Sequence, residues 1–231
     1  MKITRNELLT IPTPMETESW RPIPHYDAVS HVSREILNAG LGIKEELFEV
    51  NKSGNQMFGN FILDEEKEGI SWTVGVRNSH NKLFSLGIVA GTHVIVCSNL
   101  IFSGEFIDIR RHTQKLTDTE IKVMANTAIQ SVIDNAEMYV NLQLSYKEEY
   151  MSFDEMKIQT YGAMSEGVLP PAQFNRFHNA LKEERELNGD CVYSFHGGMT
   201  RTMKNASLFT INNRSRKLNM FMEDVCNKMT K

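Results

Sequence analysis

A chain of 231 residues with 41% hydrophobic content is long enough to bury a sizeable core, as one large domain or two small ones. Its formal net charge of -4 and pI near 6.0 exclude a protein that coats duplex nucleic acid with uniform positive charge. Three cysteines, at 97, 191 and 226, form no CxxC and leave an odd one out, so neither a disulfide framework nor a zinc ribbon is written in them.

The opening residues hold no apolar signal core, and no stretch approaches the roughly 18 uninterrupted apolar residues of a membrane span. A soluble protein of a reducing cytoplasm, with no membrane partner, is the expectation. Residues 1–27 carry four of the six prolines, in IPTP and RPIP, and read as an extended N-terminal arm that Trp20 and Tyr26 can pin to the body. Residues 28–231 read as a single α+β domain, strand-rich over 28–115 and helical over 116–231. Its first helix runs from Asp27 or Ser30 to about Asn38, with Val29, Val32, Ile36 and Leu37 on its apolar face and Gly40 as its stop. Strands are expected over 46–50 and 56–63 about a polar hairpin loop, with the acidic run 64–69 as a solvated turn. Further strands over 70–76, 83–89, 93–97 and 105–109 are joined by short connections, which favours antiparallel pairing.

Beyond residue 115 the hydrophobic period becomes helical. Thr117 and Glu120 make a capping box before a long helix that ends near Tyr150, with Ile121, Met124, Ala125 and Ala128 on one face. Ser152 and Glu155 make a second box, opening a helix that stops near Gly167. Pro170-Pro171 introduces another helix with Phe174, Phe177 and Leu181 inward, Gly197-Gly198 interrupts the next segment, and 213–228 closes the chain as a helix. The fold class is α+β: a mainly antiparallel sheet from the N-terminal half packed with a helical C-terminal half.

Charge is segregated along this layout. Residues 116–190 hold thirteen acids against six Lys or Arg, residues 191–222 hold five Lys or Arg and no acid, and residues 77–115 are net +3. Within the last window three polar clusters interrupt the apolar runs. They supply Arg77, Asn78, Ser79, His80 and Lys82, then Asn99 and Ser103, then Arg110, Arg111 and His112. Arginine forks and a lysine point charge suit phosphate oxygens, the imidazoles can donate or stack, and the amides and hydroxyls can fix orientation. The structural alternative is that Asn78, Ser79, Asn99 and Ser103 cap turns while the arginines pair with Glu105 and Asp108.

The stretches Val74 to Lys82, Val96 to Glu105 and Arg110 to Thr113 resemble a family of phage/plasmid-like proteins of unknown function found on mobile genetic elements. The likeness extends through Val168-Leu169-Pro170, Tyr193-Ser194-Phe195, Thr200 and Arg214 to Leu218. It departs from the family at Asn81 and Ser98, where members commonly carry acids, and at His196-Gly197-Gly198, where they carry Asn-Ala. The resemblance implies a shared fold and a mobile-element context.

Other chemistry is thinner. His80, His93, Cys97 and His112 are ligand types without a closed zinc spacing. Ser79 beside His80, or Cys97 with His112, could be drawn as a nucleophile and base, but neighbours on a strand point apart. The thirteen methionines offer an adaptable partner surface or simple core filler. The expectation is therefore a cytoplasmic phage or mobile-element protein, without cofactor and without catalysis, that binds a phosphate-bearing ligand, a nucleotide or nucleic acid, with sequestration of a host defence signal as the role such binding can serve. Single-stranded DNA binding as a recombination accessory, with Phe84 among its aromatics, is the first alternative. Inhibition of a host defence protein is the second, and a homo-oligomer is compatible with all three.

Overall fold

The strand-forming segments of the first half join in one antiparallel meander. The computed structural model describes residues 1–67, 70–94, 106–203 and 208–229. Within them β1 (Lys2–Ile3), β2 (Ile43–Val50), β3 (Gln56–Lys67), β4 (Ile70–Ser79), β5 (Leu86–Val94) and β6 (Phe106–Arg110) lie side by side in chain order. Every neighbouring pair is antiparallel.

Alternation of side chains assigns each strand two faces. Met57, Phe61, Val74, Val76, Leu86 and Ile88 point to one of them and are buried. Against that face lie α2 (His25–Asn38) and much of α3 (Asp118–Glu148), whose Val29, Val32, Ile36, Ile121 and Met124 complete a first core. Gly59 pairs directly with Phe48, and a Cβ there would lie 2.7 Å from the ring. The glycine lets Phe48 lie across the sheet and meet Phe61 edge-on at 5.7 Å.

Leu47 and Phe58 point to the opposite face and pack against a second core. That core is built by Tyr146 near the end of α3, α4 (Phe153–Ser165), α5 (Phe174–Asn188), α6 (Val192–Arg201) and α7 (Leu208–Met229). The 31-residue α3 thus belongs to both cores, and α7 touches β2 and β3. The architecture is α+β, with the sheet in the N-terminal half and the helices of the second core in the C-terminal half.

Several expected boundaries move for local reasons. The segment 1–27 is not extended throughout. Its β1 pairs with β2, and a complete capping box at Thr4 opens the short helix α1 (Arg5–Leu8), which sends Leu8 into the first core. Strand β3 continues through the acidic run to Lys67, after a register shift between Ile62 and Glu66. The two strands expected over 83–89 and 93–97 are one continuous β5 from Leu86 to Val94, and Leu83 stays exposed before it. Thr117 accepts from the Glu120 amide, forming half of the expected box, whereas the Ser152 box is complete. Leu37 and Phe174 are exposed, and Gly197-Gly198 lies inside α6 instead of interrupting it. No helix among the described residues is long and apolar enough to cross a membrane.

Candidate functional site

On β4, Trp72, Val74 and Val76 face the first core, so Asn78 two residues later points inward as well and is fully buried. It meets the head of α2. The Asn78 amide nitrogen donates to the Ile23 carbonyl at 2.6 Å and to His25 Nδ1 at 3.0 Å, and its oxygen accepts from His112 Nε2 at 2.7 Å. These partners fix the tautomers. His25 accepts at Nδ1, so its proton sits on Nε2 and is donated to the Gly54 carbonyl at 2.9 Å. His80 donates from Nε2 to the same Ile23 carbonyl at 2.9 Å, and its ring stacks on His25 at 3.8 Å with 4° between the planes.

Burial disfavours the charged imidazoles. It pushes His25 down to about 3, helped by the neighbouring His80, and His112 down to about 4 for the same two reasons. His80 is lowered by burial against the opposing pull of the Ile23 and Pro12 carbonyls. Three candidates, Asn78, His80 and His112, therefore converge, but as a buried neutral cluster completed by His25. Its partners show what it holds. Ile23 and His25 belong to the segment entering α2, and the same segment is tied to the β6–α3 connection by Arg21 N–H to His112 O at 3.2 Å and Gln114 Nε2 to Thr17 O at 2.7 Å.

Ser79 is also buried, and its hydroxyl donates to Asn81 Oδ1 at 2.7 Å, an oxygen that also accepts from the Leu83 amide at 3.3 Å. This is turn chemistry, and the hydroxyl is directed at Asn81 and not at His80. His80 and His112 spend their Nε2 protons on protein acceptors. Among the described residues no group of three or more His, Cys, Asp or Glu is placed to hold a metal ion. Asn99, Ser103 and Cys97 lie outside the described residues.

Arg77 precedes Asn78 by one residue and so points to the opposite face of the sheet. It is half-buried, between its cross-strand partners Phe58 on β3 and Gly87 on β5. Its guanidinium lies 5.5 Å from the centroid of the Phe84 ring, which is itself 5.4 Å from Phe58. A Cβ on Gly87 would fall 2.9 Å from Arg77 Nε, so this glycine makes the seat in which the side chain lies. Among the described residues Arg77 has no carboxylate partner and no hydrogen-bond acceptor, and burial alone pushes its pKa down.

The other cations are spent or scattered. Arg110 pairs with Asp108 at 2.5 Å, Arg111 is exposed, and Lys82, in the left-handed region at φ 62°, holds its ammonium 4.6 Å from the Trp20 ring. The candidates among the described residues thus do not share one site: Asn78, His80 and His112 point inward, Arg77 outward through the other face. His25 and Gly87 were not among the candidates. His25 was signalled only by its place beside Pro24 at the helix start, and Gly87 only by its register opposite Arg77.

No protein-family model, curated protein or solved structure matches this chain.

Proposed function

We propose that this protein binds a phosphate-bearing ligand, a nucleotide in the first instance, and holds it without transforming it. The observation that carries this reading is Arg77: a half-buried guanidinium stacked on Phe84, with no carboxylate to neutralise it among the described residues. Its partial desolvation is unfavourable until an anion arrives, and stacking one face of the fork leaves its N–H edges free for two oxygens of an oxyanion. The net charge of -4 favours a small nucleotide over a long polyanion, which the rest of the surface would repel. The resemblance to phage/plasmid-like proteins supplies a setting, sequestration of a host nucleotide signal on behalf of a mobile element.

A second reading has its own support. Ile158 and Tyr161 stand exposed three residues apart on α4, a surface suited to a protein partner and so to an inhibitor of a host factor.

Calorimetric titration with mono-, di- and cyclic nucleotides, and with labelled single-stranded DNA at two salt concentrations, tests the first reading. Wild-type protein binds at least one of these, and Arg77→Gln weakens that binding about tenfold or more, the worth of a charge-assisted hydrogen bond. Gly87→Ala, which displaces the guanidinium without removing its charge, weakens it in the same direction. Binding to no member of either class, or full affinity in Arg77→Gln, overturns the reading.

A further inference from the structure

Two polar side chains on the same face of the sheet as Arg77 are buried without partners. Trp72, Val74 and Val76 of β4 point into the first core, so Thr73, Gly75 and Arg77 point the other way. Asn60 of β3 shares that face, because it pairs with Leu47, which packs on the second core, and with Gly75. Asn60 and Thr73 are each 2% exposed. Among the described residues neither Asn60 Nδ2 nor Thr73 Oγ1 makes a hydrogen bond. A buried amide or hydroxyl left unpaired forfeits its hydration with nothing in return, and an apolar side chain of the same size would avoid that loss. What completes both is a polar group from outside the described residues.

Three of the positions around them carry no side chain. Gly75 lies between Thr73 and Arg77 on the same face, and β5 sets Gly91 opposite Thr73 and Gly87 opposite Arg77. Glycines within strands mark places where another group comes close to the backbone. Burial along this row lessens from Thr73 and Gly75, both buried, to half-buried Arg77, so the row is approached from the arginine end. The Arg77 side chain lies over Gly87, on the β5 side of β4, whereas Asn60 stands on the β3 side. Thr73 sits four residues back along the strand, roughly 13 Å by the rise of an extended chain. An ion the size of phosphate held by the guanidinium cannot reach it. A nucleotide with its phosphate on Arg77 can lay its sugar or base against the amide and the hydroxyl.

We infer, resting on the reading of Arg77 as the phosphate handle, that Asn60 and Thr73 hydrogen-bond the nucleoside part of the same ligand and make the site select nucleotides over inorganic anions. A site built to pair with a ligand's polar groups rejects an analogue that lacks them, because its own groups are then left unpaired.

The probes are mono-, di- and cyclic nucleotides of adenine, guanine, cytosine and uracil, with inorganic phosphate and pyrophosphate as anions that lack the nucleoside. Each is titrated calorimetrically into the full chain as wild type, Thr73→Val, Asn60→Leu and Arg77→Gln, and the unliganded proteins are melted in parallel. Wild type is expected to prefer at least one nucleotide over both inorganic anions, and Thr73→Val and Asn60→Leu each to weaken that nucleotide about tenfold. Unliganded Thr73→Val is expected to melt at or above the wild-type temperature, since it removes a hydroxyl that no described group satisfies. A fall of several degrees in that variant, or its failure to fold, shows a structural hydroxyl and overturns the assignment. Nucleotide binding that Arg77→Gln weakens but Thr73→Val and Asn60→Leu leave intact, or no preference over pyrophosphate, also overturns it while the Arg77 reading stands. Binding of none of these probes by wild type overturns both.

Discussion

Asn78 joins four neighbours with one carboxamide: it donates to Ile23 and His25, accepts from His112, and shares the Ile23 carbonyl with His80. Asn78→Ala strands His25 Nδ1 and the His112 N–H in a dry interior, so unfolding free energy is expected to fall by on the order of 3 kcal/mol in urea titrations. A loss of less than about 1 kcal/mol would mean that the cluster is not tying the entering segment down. The residue types here were plain in the sequence, and both the ligand reading and the turn-cap reading were available from them. What separated the two was direction. Val74, Val76 and Asn78 share a face while Arg77 takes the other, and period-2 alternation along β4 carries that information once the strand is known to run to Ser79. His25 had no local signal beyond its place beside Pro24, because its partners lie 29 and 53 residues away in Gly54 and Asn78.

Capping was legible at the scale of elements because it is a contact over three residues, as at Thr117 and Ser152. The glycine pair was not, since two glycines read locally as a helix breaker. In the folded chain they let α6 approach α5. A Cβ on Gly197 would lie 2.8 Å from Glu184 Cδ, and one on Gly198 would lie 3.1 Å from Leu181 Cα. Glu184 cannot move aside, being fully buried and paired with Arg201 Nε at 2.7 Å and Asn188 Nδ2 at 3.0 Å. Gly197→Ala gains roughly 1 kcal/mol in helix propensity but incurs an overpacking cost of about 1–3 kcal/mol. Because Glu184 is fixed, the balance falls on the destabilising side, and calorimetry should show a lower melting temperature. A raised one would show that α5 and α6 can separate. Gly91, in the gap between the strands expected over 83–89 and 93–97, stands inside β5 in the same manner.

The α+β class was readable for the whole molecule from the change of hydrophobic period near residue 116, since burial on a sheet and on a helix demands different spacings. The long-range closure of the N-terminal segment was not. It has a consequence in pH. His25, His80, His112 and His196 are each held neutral by burial, with His196 lowered to about 4. Their folded pKa values lie below the unfolded value, so unfolding takes up protons. This stability is fully present above about pH 6.5 and is lost as pH falls from there toward 4, by up to about 1.4 kcal/mol per pH unit for each imidazole. Urea midpoints should hold steady near pH 7.5 and drop steeply below about pH 6. A flat profile to about pH 4.5 would mean that these rings are already protonated or readily hydrated in the fold.

The division of one short polar run into an inward lock and a proposed outward anion handle is tested most directly by thermal unfolding of wild type, Asn78→Ala and Arg77→Gln, each with and without the best-binding nucleotide or oligonucleotide. The predicted result is a crossed one: Asn78→Ala melts several degrees lower but keeps its ligand-induced rise, while Arg77→Gln melts like wild type and loses it. A full ligand response in Arg77→Gln, or an unchanged melting temperature in Asn78→Ala, would contradict the account.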